Sequence, residues 1–242
     1  MNLEERAAMN LDFLSENSYP GRGIILGRTM NRDPVQIYWI MGRSESSRNR
    51  VFEKVPNTQG WVKTRVADPS TFTGDPSLLI YNAMVEQPNR FVVSNGAQTD
   101  AILQNGMSEL QSGNWKYEPD HPNFTPRISG VINTDEAHRF QLVMLRKSVA
   151  GDECDILSYT YDDIPYGFGY FISTYEDDGN PLPSFRDEPR ILPIGHRNPH
   201  IIALAFWNIL NEENRVALAV KVIPSDGSPS RVDIINRFKI VG

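Results

Sequence analysis

The chain has 242 residues, which is enough for one large domain or two small ones. Hydrophobic residues make up 40% of the sequence and charged residues 22%, so there is enough apolar side chain for a core, and dominant disorder is excluded. The 24 Lys and Arg against 30 Asp and Glu give a net charge of −6, which disfavours nonspecific nucleic-acid binding and leaves any anionic ligand to a local basic pocket.

The cysteine count and the hydropathy pattern point to a reducing compartment. The single cysteine, Cys154, excludes an intramolecular disulfide framework and a zinc site built from cysteines. No run approaches the ~18 apolar residues that span a bilayer. The first ten residues carry Glu4 and Glu5 and lack the apolar core of a signal peptide. We therefore expect a cytoplasmic protein with neither membrane nor nucleic acid as a partner.

The predicted elements begin with a helix over residues 3–14, because Ala7, Leu11 and Leu14 recur at helical spacing. Most of the remaining chain predicts strands, from β-branched or aromatic runs bounded by turn residues. These strands are predicted at 23–29, 35–41, 51–55, 61–67, 90–93, 127–132, 140–145, 155–161, 169–174, 215–222 and 232–241, with 78–85 left ambiguous.

Two further helices are predicted. One starts at Thr99 or Asp100, both good N-cap residues, and runs to Ser112. The other covers residues 200–210, which are apolar on most sides and are therefore expected to be buried. About ten strands and three helices, with long stretches of strand alone, argue against a doubly wound fold. They favour a single α+β domain over residues 1–242, with two stacked sheets covered by helices.

Several familiar kinds of site are not supported by the sequence. It has no Walker A or Rossmann glycine motif, so no nucleotide cofactor is expected. It also has no Gly-x-Ser-x-Gly elbow, which would mark a serine nucleophile. His196 and His200 are four residues apart, but Pro199 between them disfavours a helical metal pair, and we expect no metal. Cys154 lies in a polar segment without a sign of activation and is interpreted as structural.

Four polar segments are not explained by packing. Residues 43–50 hold three arginines among serines, a composition that suits a phosphate but equally a solvated loop. Residues 94–100 contain an Asn-Gly pair before a helix, whose free amides suit an anion, although a tight turn with an N-cap is the commoner case. Residues 117–127 gather a carboxylate, an amide, a hydroxyl and an arginine, as a solvated connection also would. In Tyr81-Asn82, the polar Asn82 interrupts an apolar run, which alone favours a core tyrosine beside a satisfied amide.

Taken together, these segments resemble one family, the archaeal-type inosine monophosphate (IMP) cyclohydrolases and their bacterial relatives. The matching motifs occur in family order over residues 19–176. They are Tyr19-Pro20-Gly21-Arg22-Gly23, Arg43-Ser44, Asn49-Arg50, Tyr81-Asn82, Val93-Ser94-Asn95-Gly96-x-x-Thr99-Asp100, Tyr117-Glu118, Thr125-Pro126-Arg127-Ile128 and Ile172-Ser173-Thr174-Tyr175-Glu176. The last third of the chain shows no matching motif, and the chain is longer than the archaeal proteins.

The resemblance implies a four-layer αββα sandwich similar to the N-terminal-nucleophile hydrolases. The chain starts with Met1-Asn2, so it offers no Ser, Thr or Cys there for an N-terminal nucleophile mechanism. The implied reaction closes the purine ring of formamido-imidazole-carboxamide ribonucleotide (FAICAR), giving IMP and water without a metal or redox cofactor. A homo-oligomer is also expected.

The same resemblance implies a catalytic trio of arginine, tyrosine and glutamate. The tyrosine corresponds to Tyr81 and the glutamate to Glu118. Pairing on Asn-Arg makes Arg50 the catalytic arginine, whereas pairing from Arg43-Ser44 makes it Arg48, and we prefer Arg50. The remaining matched residues are expected to bind the base, ribose or phosphate of the substrate. They are Arg22, Arg43, Arg48, Asn82, Asn95, Gly96, Thr99, Asp100, Asn123, Thr125 and Arg127.

Two other functions remain open at this point. The chain could be a purine-nucleotide-binding regulator that has lost catalysis, or an amidohydrolase-like enzyme acting on a related ribonucleotide. The presence of Glu118 favours an enzyme, because a nucleotide binder needs phosphate contacts but not this carboxylate.

Overall fold

The structure of the chain is a computed structural model that describes residues 1–72, 79–135 and 139–240. The helices are α1 (Leu3–Glu16), α2 (Glu45–Arg48), α3 (Gln98–Asn105) and α4 (Pro199–Ile209), with 3-10 turns at Pro69–Thr71 and Met107–Gln111. The strands are β1 (Gly23–Arg28), β2 (Pro34–Met41), β3 (Arg50–Lys54), β4 (Val62–Val66), β5 (Asn82–Gln87), β6 (Arg90–Ser94), β7 (Arg127–Asn133), β8 (Phe140–Lys147), β9 (Cys154–Tyr161), β10 (Phe168–Ser173), β11 (Arg190–Pro193), β12 (Arg215–Val222) and β13 (Arg231–Asn236).

The strands form two antiparallel sheets. The first has six strands in the order β11-β10-β1-β2-β12-β13. The second has seven strands in chain order from β3 to β9, so each strand pairs with its sequence neighbour. The first sheet therefore brings together both ends of the chain, and the second is one continuous meander.

Alternation along β1 and β2 explains why the first sheet is buried on both faces. Ile24 and Tyr38 point into a central core shared with the second sheet. Ile25 and Trp39, one residue along each strand, point to the opposite face and pack with residues of α1 and α4. Every residue of both strands is buried, as expected for strands covered on both sides.

The helices lie outside the two sheets. α1 contacts β11, and α4 contacts β12 and β13, so both cover the first sheet. α3 contacts β5 and β6 and packs its Ile102 and Leu103 against the second sheet. The predicted α+β class is therefore confirmed. The likeness to N-terminal-nucleophile hydrolases and the single-domain interpretation stay predictions.

The prediction of one long helix from Thr99 or Asp100 to Ser112 is wrong. α3 starts at Gln98 with Ala97 as its N-cap, so Thr99 and Asp100 lie inside its first turn. It ends at Asn105 because Gly106 has a φ of +81°, and a separate 3-10 turn follows.

Three other differences concern the burial of α4, the end of the last strand and two short elements. Ile201 and Leu204 on α4 are 44% and 41% exposed, so this apolar helix buries one face and leaves the other open. The last strand ends at Asn236 and not near residue 241. Two short elements, α2 and β11, are absent from the prediction, since α2 has four residues and β11 is a short apolar run ending at Pro193. The ambiguous stretch 78–85 contributes β5 from Asn82, while residue 78 lies outside the described residues.

Candidate functional site

The predicted site residues converge on one edge of the two sheets. By edge we mean the side on which the strands begin and end, and not an outermost strand. At this edge β1, β3, β5 and β7 begin, while β2, β6 and β10 end. Antiparallel pairing forces this arrangement, because the start of each strand lies beside the end of its neighbour. The loops that carry the predicted motifs are therefore neighbours in space although they are distant in sequence.

A buried ion pair is the central feature of this edge. Arg22 donates two parallel hydrogen bonds to Glu118, each at 2.9 Å. Arg22 is 8% exposed and Glu118 5%. Burial alone would lower the pKa of the Arg22 guanidinium, but the Glu118 carboxylate, together with the Tyr81 and Tyr38 phenols, outweighs it and holds the pKa well above its usual value. The bidentate pair fixes the carboxylate in one plane and leaves lone pairs on both oxygens for a ligand.

Arg22 is held in place by its own loop. Gly21 has a φ of +72°, and a Cβ at this position would lie 2.3 Å from Thr174 Oγ1. The backbone N–H of Arg22 donates to the same Thr174 hydroxyl at 3.0 Å, and Thr174 N–H donates to the Arg22 carbonyl at 2.8 Å. Only glycine fits this close approach, so Gly21 explains why the loop can aim Arg22 at Glu118.

Tyr81 lies beside the ion pair. It is 5% exposed, and its hydroxyl is 2.6 Å from the hydroxyl of Tyr38. Thr64 of β4 positions it, because the Thr64 hydroxyl accepts from the Tyr81 backbone N–H at 2.9 Å. Arg22 interacts electrostatically with both phenols. Burial, reinforced by Tyr81, raises the pKa of Tyr38 well above its ordinary value, although Arg22 and Arg50 oppose the rise.

The geometry favours Arg50 over Arg48 as the arginine of the trio. Arg50 is buried, donates from Nε to the Ser47 carbonyl at 2.9 Å, and interacts electrostatically with Tyr38 and Tyr19. Its two terminal nitrogens make no hydrogen bond to the described residues. Arg48 is instead fastened to the Gly42 carbonyl at 2.9 Å and to Asn214 at 3.2 Å.

Arg43 lies at the exposed margin of the site. It pairs with Asp178, donates to the Gly179 carbonyl at 2.9 Å, and lies 5.0 Å from the centre of the Tyr19 ring. Burial raises the pKa of Tyr19, against the opposing charges of Arg50, Arg22 and Arg43. The charges of three arginines therefore act on the Tyr19 phenol.

Asn82, the residue after Tyr81, pairs with Asp100. The Asn82 amide donates to both carboxylate oxygens of Asp100, at 3.0 and 3.1 Å. Both residues are partly exposed, so their remaining polar capacity stays accessible to a ligand. Their predicted role in substrate binding stays a prediction.

The motif around Asn95 is built mainly to hold backbone. The Asn95 carboxamide oxygen accepts from Ile128 N–H at 2.9 Å and from Gln98 at 3.0 Å, and its nitrogen donates to the Pro126 carbonyl at 2.8 Å. Thr99 donates to the Gly96 carbonyl at 2.7 Å. Because both side chains are completely buried, the geometry favours a supporting role for them over the direct ligand contact that the sequence motifs predict.

Thr125 and Asn123 likewise make internal contacts. The buried Thr125 hydroxyl contacts Asp120 and Tyr175, and the Thr125 carbonyl accepts from Glu118 N–H at 2.8 Å. The Asn123 oxygen accepts from Leu182 N–H at 3.1 Å. These bonds shape the loop that presents Glu118.

Arg127 and Gly96 meet at the start of α3. Arg127 donates to Gln98 at 3.1 Å and to the Lys116 carbonyl at 2.9 Å. A Cβ on Gly96 would lie 2.6 Å from an Arg127 nitrogen, so the glycine lets backbone and guanidinium approach. Burial lowers the pKa of Arg127, and the nearby Glu118 opposes this. α3 has no side-chain cap, so the Arg127 cation and a helix N-terminus, both of which favour an anion, lie together here. The first turn also carries the Asp100 carboxylate, which opposes an anion and is paired with Asn82.

Three site residues were not singled out by sequence reasoning. Tyr38 looks like an ordinary core residue inside the apolar strand β2, and nothing in the sequence signals its contact with Tyr81. The rings of Tyr19 and Tyr175 stack with their centroids 6.0 Å apart. Both residues lie within the family motifs, but the motifs alone predict no role for them in the site. Their position inside those motifs is the signal that could have found them.

His196 and His200 do not form a helical metal pair. α4 begins at Pro199, so His196 lies in the preceding loop, while His200 pairs with Asp233 at 3.1 Å. Among residues 1–72, 79–135 and 139–240, no group of three or more His, Cys, Asp or Glu is placed to hold a metal. Burial raises the pKa of the Cys154 thiol, which is typical of an unactivated cysteine. No helix in the described part of the chain is long and apolar enough to cross a membrane.

A cavity of about 820 Å³ lies at the opposite edge of the sheets, where β1 ends and β2 begins. Its wall includes Arg28, Trp61, Glu86 and Phe140, and it shares no residue with the predicted site. Glu86 is paired there with the fully buried Lys221 at 2.8 Å. We assign the functional site by its convergent charged and phenolic groups and not by cavity volume.

Comparison with known proteins identifies the family of the chain. The sequence model of a family described as IMP cyclohydrolase-like protein matches residues 19–227. The chain is 28% identical over 166 residues to an IMP cyclohydrolase of Methanococcus aeolicus, covering 65% of this chain and 74% of the relative. It is 27% identical over 219 residues to an IMP cyclohydrolase of Methanocaldococcus jannaschii, covering 86% of this chain and 96% of the relative. Because the family match spans most of the sequence, the chain belongs to the IMP cyclohydrolase-like protein family.

Proposed function

We propose that this protein is an IMP cyclohydrolase that converts FAICAR to IMP and water. The observation that carries the proposal is the convergence of Glu118, paired with Arg22, with the Tyr81 phenol and the Arg50 guanidinium at one sheet edge. Two relatives named IMP cyclohydrolase support it. The identity of the substrate and the role of each residue are parts of this proposal.

The reaction needs positioning more than a strong catalyst. The carboxamide nitrogen attacks the formyl carbon, forming the N–C bond, and the formyl oxygen becomes a hydroxyl. In this addition the carboxamide nitrogen loses one proton and the oxygen gains one. The hydroxyl then leaves as water with one further proton, while the formamido nitrogen loses its proton and the C=N bond of the purine forms. Both reacting groups are on one ring, so their effective molarity is already high and the protein must hold the reactive rotamer and move protons.

Each member of the trio has a role that its surroundings support. Glu118 accepts a hydrogen bond from the carboxamide and takes its proton, since its two oxygens keep lone pairs beside the Arg22 contacts. Arg50, with terminal nitrogens free of hydrogen bonds to the described residues, polarises the formyl oxygen. Tyr81 donates the proton that leaves with the hydroxyl. Transfer of a proton from Glu118 to Tyr81 through solvent restores the starting state.

In this reaction Arg127 and the first turn of α3 bind the phosphate of the substrate. Arg127 is partly buried and has no carboxylate partner in the described structure, and the amides of an uncapped helix start lie beside it. The family motifs also make Arg22 a candidate for this role, but in the structure Arg22 is paired with Glu118. We therefore give Arg22 the role of orienting the carboxylate.

Ultraviolet spectroscopy with purified protein and FAICAR tests the proposal, because ring closure extends conjugation. We expect conversion to IMP that survives exhaustive chelation and needs no added cofactor, since neither the sequence nor the described residues gather metal ligands. Binding of IMP without any conversion of FAICAR would instead favour a non-catalytic nucleotide-binding regulator. Hydrolysis of a related ribonucleotide would favour the amidohydrolase alternative.

A further inference from the structure

The contact between Tyr38 and Tyr81 joins the two sheets at the candidate site. Tyr38 belongs to β2 of the first sheet and its side chain points into the shared core. Tyr81 immediately precedes β5 of the second sheet. Their hydroxyl oxygens are 2.6 Å apart, a short hydrogen bond between two phenols that each carry one proton.

Either oxygen could donate in this hydrogen bond, and the surroundings of the two hydroxyls favour one direction. Tyr38 is completely buried, and within the described residues its hydroxyl has no partner other than Tyr81. If Tyr81 donated to Tyr38, the Tyr38 proton would be buried without an acceptor, which is unfavourable. Tyr81 is 5% exposed, so in the reverse arrangement its proton can reach a ligand, and donation from Tyr38 to Tyr81 is the favoured direction. The proton of Tyr81 is then left free to point away from Tyr38.

The surrounding charges favour the same direction of transfer. Burial raises the pKa of Tyr38 well above its ordinary value, so Tyr38 stays a neutral donor near neutral pH. Arg22 interacts electrostatically with both phenols and stabilises negative charge that develops on the Tyr81 oxygen. A hydrogen bond from Tyr38 to that oxygen acts in the same sense, since it strengthens as the oxygen becomes negative.

We infer that Tyr38 is a positioning residue for the proposed ring closure. By donating to Tyr81, it aims the Tyr81 proton at the leaving hydroxyl, and it supports the Tyr81 oxygen as the proton passes to that hydroxyl and water departs. This inference rests on the proposed function and adds a second phenol, behind the first, to the residues on which the reaction depends.

The test is the kinetics of Tyr38→Phe, which removes one hydroxyl and keeps the ring. We expect kcat for FAICAR to fall by about 10-fold to 100-fold, less than the loss of the general acid itself, which is about 10²–10⁴-fold. KM and the dissociation constant for IMP should stay near the wild-type values, because the hydroxyl of Tyr38 does not reach the ligand. Tyr161→Phe, which removes a phenol hydroxyl that contacts none of the site residues, should leave kcat unchanged.

A double-mutant cycle separates this role from a merely structural one. In a Tyr81→Phe background, adding Tyr38→Phe should cause no further loss of kcat, because the hydrogen bond is already gone. A structural hydroxyl would lower activity equally in both backgrounds. Additive losses, or wild-type kcat in Tyr38→Phe, would overturn the inference while leaving the proposed function intact.

Two further outcomes are also decisive. Incorporation of 3-fluorotyrosine at position 38 keeps the ring and the hydroxyl, so kcat should stay within a few-fold of wild type. A loss as large as that of Tyr38→Phe would contradict the inference, and this variant serves also if the phenylalanine variant does not fold. A wild-type protein that does not convert FAICAR refutes the proposed function and the inference with it.

Discussion

At the scale of single residues, the buried partner of Glu118 changes how its role is understood. The sequence motif marks Glu118 as a catalytic carboxylate but says nothing about Arg22 holding it. In the structure, both Glu118 oxygens accept from one guanidinium, and Arg22 also donates to the Asn95 carbonyl at 3.2 Å. The carboxylate is thus fixed before any ligand arrives, which lowers the cost of ordering it in the reactive complex.

Glu118→Gln should lower kcat by about 10²–10⁴-fold while weakening IMP binding much less. The amide keeps the shape and can still hydrogen-bond, but it cannot take a proton. Glu86→Gln is the matched control, because Glu86 also pairs with a buried cation, Lys221, but at the opposite edge. Both variants should lose stability, by up to about 3–5 kcal/mol.

Steady-state kinetics, calorimetry with IMP and urea unfolding distinguish these effects. Only Glu118→Gln should lose kcat beyond what its stability explains. A near-normal kcat with a raised KM would make Glu118 a binding residue, and equal activity losses in both variants would point to general destabilisation.

Phosphate recognition is the second residue-scale prediction. With a net charge of −6, long-range attraction of a nucleotide is unfavourable, but this field is screened over about 8 Å at physiological salt, and a local arginine contact outweighs it. We expect inosine to bind at least about 100-fold more weakly than IMP, a difference of about 2.7 kcal/mol at roughly 1.36 kcal/mol per decade.

Calorimetry on variants locates this contact. Arg127→Gln should reduce the difference between IMP and inosine. Arg139→Gln, which removes an exposed arginine beside the cavity at the opposite edge, should leave it unchanged. Equal affinities of the wild-type protein for IMP and inosine would remove phosphate recognition from the proposed function.

At the scale of elements, the long periodic strands were predictable and the short pieces were not. Strands such as β1 and β12 are indicated in the sequence by apolar runs between turn residues. α2 is too short to show a helical period, and α3 is shorter than predicted because Gly106 takes a left-handed φ that composition alone does not reveal. The sequence predicts a buried α4, but one face of this helix is partly exposed. An apolar pattern on all sides of a helix does not indicate which face packs against a sheet.

The loop between α1 and β1 provides an element-scale prediction. Gly21→Ala should cost about 1–2 kcal/mol for the left-handed backbone, plus about 1–3 kcal/mol for overpacking against Thr174. Because this loop aims Arg22, activity should fall as well. Gly113→Ala is the matched control, since Gly113 also has a positive φ, +84°, but a Cβ there meets nothing within 4 Å.

Urea unfolding and FAICAR turnover measure both effects. Gly113→Ala should show only the backbone cost and keep full activity. If the two variants lose equal stability, or if Gly21→Ala is fully active, then the close approach to Thr174 does not position Arg22.

At the scale of the whole molecule, the candidate site is formed by antiparallel topology. Each motif could be recognised in the sequence, yet its neighbours could not, because the pairing of Arg22 with Glu118 spans 96 residues. The contact between Tyr38 and Tyr81 further depends on two sheets facing each other. Sequence patterns indicate which face of a strand is buried but not which residue of the other sheet it meets. The sequence could therefore propose a trio, but it could not indicate the residues that contact the trio.

The buried tyrosines give the molecule a predicted alkaline weakness. Burial raises the pKa of five of its nine tyrosines, namely Tyr19, Tyr38, Tyr159, Tyr161 and Tyr175. In the unfolded chain these phenols ionise near pH ~10. Between that pH and the higher folded-state pKa values, the folded protein keeps protons that the unfolded chain has lost. The free energy of unfolding should therefore fall as pH rises through and above ~10.

Lys221 changes the free energy of unfolding with pH in the opposite direction, but it is one group against five tyrosines. Burial lowers its pKa, with Glu86 opposing, so between that pKa and the unfolded value near ~10.4 the unfolded chain binds more protons and stability rises with pH. Urea unfolding from pH 9 to 11.5 should show the net fall, and Tyr161→Phe should reduce its slope by up to about 1.4 kcal/mol per pH unit, the limit for one group. Absorbance at 295 nm measures phenol ionisation in the folded state directly. Ionisation of all the tyrosines together near pH ~10 without unfolding would contradict the prediction, because it would mean that the sheet core and the candidate site do not shield their phenols from water.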